Sequence, residues 1–403
     1  VTLIALDDAQ RRVLDGAQPL PAEDVPLAAA HGRVLAADVR ARRTQPDRDV
    51  SAMDGYAVRH ADLAAPPSRL RLAGVSAAGR PFAGRLAPGQ AVRIFTGAVV
   101  PEGADTVVMQ EDCTAEGDAV LIAAVPHPGR HIRQRGLDFS EGRVLLPAGR
   151  RLSARDIGLA AAMNHPTLPV HRRPRVALVS TGDELVPPGV IPAEGQIVAS
   201  NGPYLAAALE GEGAEVVDLG LVPDRLEATV AAVQAAHGMA ADVLVTTGGA
   251  SVGEHDMVHR ALEADGIDLG FWRIALRPGR PLIFGRRDGM RVLGLPGNPV
   301  SAFTCALLFL LPLVRALGGR ADILPQTEPA RLGVSLPAGD QRAELLRGTL
   351  AHQPDGTLTA TPFAEQDSSL LSLLAAADCC ILREPFAPAA AAGEPCRIIR
   401  LGL

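Results

Sequence analysis

The stretch from Arg175 to Arg320 constrains this chain most, because apolar runs of strand length alternate there with helical patterns. Arg175 to Ser180 reads as a buried strand, Pro203 to Glu212 as a helix closed by Gly213, and Glu215 to Leu219 as the next strand. Asp224, with Glu227 three residues on, has the capping-box pattern before a helix carrying Leu226, Val230 and Val233 on one face. Asp242 to Thr246 and Arg291 to Leu295 are further strands. A helix burying Met257, Val258, Ala261 and Leu262 starts near Glu254, and a long apolar helix follows Pro299. Strands alternating with helices predict a parallel sheet covered on both faces.

The flanks read differently. Residues 43–141 show short alternating runs (Ala91 to Phe95, Thr106 to Gln110) between Gly and Pro turns, which is a β-rich pattern. Leu6 to Leu14, Pro26 to Ala37 and Arg155 to Met163 read as helical, so one domain can be assembled from both sides of that insert. Beyond Gly319 come short β runs such as Ala330 to Val334, Gly356 to Ala360 and Arg397 to Leu401. The expected fold is a multidomain α/β protein. Its parts are an N-terminal helical domain (1–42 plus 142–172), a β-rich insert (43–141), a central parallel α/β three-layer domain (173–322) and a small C-terminal β-barrel (323–403).

Composition removes several functions. A formal charge of −6 with 3% aromatic residues argues against nucleic acid or an anionic membrane as partner. The longest apolar run, Ala302 to Val314, is short for a bilayer and contains Pro312, and the N-terminus is acidic. Five cysteines without CxxC spacing suggest neither a zinc site nor a disulfide framework, and Cys379-Cys380 reads as core. A soluble, cytoplasmic protein is expected. All 39 basic residues are Arg, which excludes lysine Schiff bases, a P-loop lysine or a lysine base. Neither an HExxH pair nor a Gly-x-Ser-x-Gly elbow occurs.

Three strand ends in the α/β region run into Gly-rich polar loops: Thr181-Gly182-Asp183-Glu184, Thr247-Gly248-Gly249-Ala250-Ser251-Val252-Gly253 and Pro296-Gly297-Asn298-Pro299. Glycine lets backbone N–H groups turn towards an anion, and a helix N-terminus follows each loop, so one sheet edge asks for a phosphate-bearing ligand. Asn298 can cap the last helix, with Pro299 at its first position. Asp183, Glu184, Asp224 and Asp256 supply hard oxygens suited to Mg²⁺. Capping alone accounts equally well for Asp224, and the helix dipole for Asp256; Glu184 has no such local explanation. Arg273, Arg277 and Arg280 form a basic Pro/Gly segment that suits a second oxyanion or a solvated loop. Upstream, Asp54 in Ser51 to Val58 (SAMDGYAV) is a turn residue or a displayed carboxylate, and Thr96 sits in a strand-end Thr-Gly. Arg133 and Arg135 beside Asp138 make either a salt-bridged loop or an anion clamp.

In combination, SAMDGYAV, Ile94 to Ala98, Gly103 to Glu111, Arg135 to Asp138, Ser180 to Leu185, Thr246 to Asp256, Arg277 to Pro281 and LPGNPVSA (Leu295 to Ala302) resemble the molybdopterin molybdenumtransferase family, which includes the gephyrin E domain. Gln366-Asp367-Ser368-Ser369 is a weaker match. The resemblance implies a dimer whose site is shared between subunits. It implies a Mg²⁺-dependent reaction in which adenylylated molybdopterin and molybdate give molybdenum cofactor with release of AMP. The family's functional positions fall on Asp54, Thr96, Asp138, Glu184, Asp224 and Asp256. Ligand contacts fall on Thr181, Gly182, Gly248, Gly249, Ser251, Gly253, Pro296 to Pro299, Ser368 and Ser369, with arginine at 273, 277 and 280 where relatives carry lysine. Transient contact with a molybdopterin adenylyltransferase and with molybdoenzymes is implied too. The rival readings are an adenylyltransferase-type protein on the same α/β module and a molybdopterin-binding scaffold.

Overall fold

The computed structural model describes residues 3–248 and 257–401. Its centre is a six-stranded sheet in the order Glu215–Val222, Arg175–Thr181, Val243–Thr247, Met290–Leu295, Pro281–Arg287, Asp268–Arg273. Alternation along Arg175–Thr181 sends Val176 and Leu178 to one core and Ala177 and Val179 to another. The first core is closed by helices Asn201–Gly211 and Pro299–Leu317, through Leu205, Leu209, Ala302 and Phe309. The second is closed by Leu226–Gly238 and Met257–Ala264, through Val233, Ala236, Val258 and Leu262.

Two expectations about this layer change. The sheet is mixed: five strands run the same way, and Pro281–Arg287 alone runs against them, pairing antiparallel with both Met290–Leu295 and Asp268–Arg273. The cause is a two-residue hairpin at Asp288-Gly289, both with positive φ (48° and 88°), the backbone that such turns require. The second change concerns the apolar run. It belongs to a 19-residue helix, Pro299–Leu317, that is long enough to cross a membrane by length and composition. Its residues are 89% buried against the sheet and neighbouring helices, and Pro312 sits just after a π-helical turn (Ala306–Leu310) that adjusts the ladder. Burial, rather than length, makes it a core helix.

Helix Leu6–Leu14 packs Ala9 and Val13 into the first core, and Ile4 bridges Ile274. The other N-terminal segments are less helical than expected: within Pro26 to Ala37 only Leu27–Ala30 is helix. Gly32 adopts φ 74°, and Val34 and Leu35 bridge Arg151 and Val170 instead. Strand Ala22–Pro26 pairs with Thr167–His171, and helix Ala154–Ala162 starts at a complete Ser153–Asp156 capping box. Between these segments the insert forms a six-stranded sheet, from Thr106–Met109 at one edge to Cys113–Glu116 at the other. The C-terminal segment closes into a barrel, because Ala343–His352 pairs with both Leu358–Pro362 and Cys379–Arg383. Cys379 and Cys380 are buried in it, and all five cysteines are free thiols.

Candidate active site

The C-terminal ends of Arg175–Thr181, Val243–Thr247 and Met290–Leu295 open into one cleft of about 520 Å³. Thr181, Glu184, Asp224, Gly248 and Pro296 to Pro299 line it, so the three expected loops do converge. Gly182 and Gly248 work by sterics rather than as anion nests. Gly182 N–H donates to Val222 O and Gly248 N–H to Leu295 O, so both donors are already used. A Cβ on Gly248 (φ 89°) would come within 2.2 Å of Thr181 O, and one on Gly182 within 2.6 Å of Glu184 Oε2. Glycine therefore lets two strand ends touch and lets the Glu184 carboxylate lie against main chain. The N-terminus of helix Asn201–Gly211 opens at the cleft with no side-chain cap from Ser200, a geometry suited to an anion.

Asp224 does not cap its helix. Arg225 takes the N-cap position without a side-chain bond, and the buried face is Thr229, Ala232, Val233 and Ala236 rather than the Leu226–Val230 stripe. Asp224 N–H donates to Asp183 Oδ1 (3.1 Å), which tips the Asp224 carboxylate to the cleft wall. Burial there, with Asp183 and Glu184 close by, pushes the Asp224 carboxyl above the usual carboxylate range. Asn298 likewise holds the N-cap position by backbone alone; its Nδ2 donates to Ser368 Oγ (3.0 Å). Val300 N–H donates to Ser368 O, so the barrel's Gln366 to Ser369 loop is tied to the cleft. Ser369 turns away and donates to Asp367 Oδ1.

The remaining expected residues are dispersed. Asp54 Oδ1 accepts from Thr96 N–H (2.7 Å) and Thr96 Oγ1 (2.8 Å), and these bonds hold its carboxyl below its ordinary range. Asp138 lines a separate depression of about 370 Å³ with Arg43, Arg133 and Gly97. Arg135 is not its partner, because it donates to Asp49 Oδ1 and Asp47 O. None of Asp54, Thr96 and Asp138 lines the cleft within this chain. Arg277 pairs with Glu344 (3.3 Å), Arg273 lies opposite Pro281 across the edge strands, and Arg280 is exposed beside Pro281, which lines the cleft. Gly249, Ser251, Gly253 and Asp256 lie outside the described residues. Among the described residues no three acidic, His or Cys side chains form a ready metal cage.

Sequence reasoning missed Asn201, whose Nδ2 donates to Gly297 O (2.7 Å), and Tyr204, whose hydroxyl donates to Pro299 O (3.1 Å). Burial pushes the Tyr204 phenol up, so it stays a donor. The expected helix began at Pro203 and left Asn201 outside; the Ser200-Asn201 pair before it was the available signal.

Parallel strand ends carrying an uncapped helix N-terminus and two cleft-lining carboxylates define an α/β module with a polar cleft at its sheet edge. The flanking modules narrow the class. Residues 4–164 match the MoeA N-terminal region (domain I and II), residues 177–316 the probable molybdopterin binding domain, and residues 329–401 the MoeA C-terminal region (domain IV). The molybdopterin molybdenumtransferase of Haemophilus influenzae is 36% identical over 395 residues, 97% of each chain. That of a Nostoc strain is 42% identical over 306 residues, 74% of this chain and 70% of its own. The crystal structure of the molybdopterin biosynthesis moea protein from Pyrococcus horikosii covers all of both chains with a TM-score of 0.84 at 30% identity. The chain belongs to the molybdopterin molybdenumtransferase family.

Proposed function

We propose that this chain is a molybdopterin molybdenumtransferase that joins molybdenum from molybdate to the dithiolene of adenylylated molybdopterin and releases AMP. The observation that carries this reading is the convergence of Glu184, Asp224, the Pro296–Pro299 turn and an uncapped helix N-terminus on one cleft. The helix dipole and first-turn N–H groups hold phosphate there. The dithiolene sulfurs attack molybdenum and displace two molybdate oxygens as water, and a water molecule attacks phosphorus to break the anhydride bond that frees AMP, so the protein's part is positioning and electrostatics.

Mg²⁺ fits this site. Burial, with Asp183 and Glu184 close by, pushes the Asp224 carboxyl up, so negative charge is crowded at the cleft wall. Mg²⁺ takes one or two carboxylates plus substrate phosphates rather than a complete protein cage. Glu184 and Asp224 would hold it, and it would neutralise charge on the departing phosphate. Arg280, exposed at the rim, would meet molybdate with a guanidinium that stays charged at working pH. Asp54, Thr96 and Asp138 would come from a second copy of the chain, which makes the functional unit a homodimer in the cytoplasm.

Molybdate-dependent release of AMP from adenylylated molybdopterin tests the assignment; no release by folded protein with Mg²⁺ rejects it. Charge-assisted contacts are worth about 1.5–3 kcal/mol. Arg280→Ala should therefore raise the molybdate concentration for half-maximal release by about ten- to a hundredfold.

A further inference from the structure

One face of the insert carries a stacked group that the cleft does not use. Arg93 lies in strand Gln90–Ile94, its cross-strand partner is Tyr56, and Phe95 follows two residues on, so the three side chains share a face. The Arg93 guanidinium carbon lies 5.1 Å from the Tyr56 ring centroid and 4.9 Å from that of Phe95, both within cation–π range. Its N–H groups donate to Gly55 O (3.0 Å) and Gln110 Oε1, which fixes the plane of the guanidinium. Tyr56 is buried, whereas Phe95 is 38% exposed. Beside Phe95, both Thr96 donors are spent on Asp54 Oδ1, and Oδ2 has no partner among the described residues.

An open aromatic ring held from behind, with a fixed carboxylate bonded to the next residue of the chain, is complementary to a flat heterocycle carrying N–H groups on its rim. It is a poor phosphate site, since the nearest free group is anionic. On the function proposed above, the substrate offers two heterocycles, and they differ along that rim. The pterin presents a ring N–H next to an amino group, two adjacent donors. The amino group of adenine is flanked by acceptor nitrogens whose lone pairs would face Asp54. We propose that the Phe95–Arg93–Tyr56 stack with Asp54 is the docking platform for the pterin ring of the substrate, while the phosphates occupy the strand-end cleft. Base–aromatic stacking contributes about 1–3 kcal/mol.

The test is a fluorescence-anisotropy titration of 6-hydroxymethylpterin against the full chain, with AMP titrated in parallel. Phe95→Leu keeps an apolar side chain on an exposed position but removes the flat face, and should weaken pterin binding by roughly 5- to 150-fold. Phe95→Trp should bind within about threefold of the parent. Asp54→Asn should weaken pterin binding about tenfold. AMP affinity should be unchanged in Phe95→Leu and Phe95→Trp. Undetectable pterin binding to the parent chain, equal affinity in Phe95→Leu, or a loss confined to AMP would each overturn the assignment. Molybdate-dependent AMP release by the parent chain is read separately. Its absence, with the pterin pattern intact, would reject the reaction and leave the platform standing.

Discussion

At the residue scale the two cleft carboxylates behave differently. Glu184 is exposed, its carboxylate has no hydrogen-bond partner among the described residues, and it lies over Gly182. Glu184→Gln preserves shape and removes charge, so the circular-dichroism spectrum and melting temperature should hold while AMP release falls at least about 100-fold. Asp224 carries the raised carboxyl. The folded chain keeps that proton to higher pH than the unfolded chain. The resulting stabilisation is present below the ordinary Asp value of about 3.9 and is lost as pH rises through the raised folded value. Asp224→Asn cannot ionise. In EDTA it should melt above the parent at neutral pH, and the difference should vanish below about pH 3.9. Adding Mg²⁺ should raise the parent's melting temperature and leave the variant's almost unmoved.

Among the elements, the strand-end loops are shaped by contact. The 2.2 Å approach of a Cβ at position 248 to Thr181 O, together with φ 89°, leaves no strain-free place for a side chain. Gly248→Ala should cost about 1–3 kcal/mol from the backbone alone, read as a lower urea midpoint, and should part the Thr181 and Gly248 strand ends. The Gly-rich loops were legible in the sequence, but their reason was not. Residue type says that a position tolerates φ above zero; only the packed strands show that the N–H groups point to Val222 O and Leu295 O. The capping box at Asp224 and Glu227 failed for a similar reason. Asp183, forty-one residues earlier, takes the Asp224 N–H and leaves the helix to start one residue later.

For the whole molecule, the expected site residues form two groups, one at the α/β cleft and one on the insert and its border. If the second group serves the cleft of a partner, inactive Asp54→Ala and Glu184→Ala chains refolded together should regain up to about a quarter of parental activity, because about half of the dimers are mixed and each of those has one of its two sites intact. Mixed dimers that form and stay inactive would show that each chain builds its own site. The barrel has a comparable link to the cleft: Ser368 receives Asn298 Nδ2 and accepts Val300 N–H, so a loop from the last hundred residues fixes a turn at the sheet edge.

The sequence by itself determined the layers. Period-two alternation in Arg175–Thr181 assigns its side chains to two cores, and the strand–helix order carries every loop of interest to one sheet edge. These signals are local and repeat over several residues, so they survive errors at any one position. Tertiary structure decided what single residues do. Asp288-Gly289 reversed a strand and made the sheet mixed, burial kept Pro299–Leu317 inside the protein, Glu344 withdrew Arg277 from its neighbours, and Asp183 freed Asp224 from its cap. The Asp288-Gly289 turn is a local signal; the other three outcomes depend on partners distant in the chain, and no pattern at the residue itself encodes the distance to those partners.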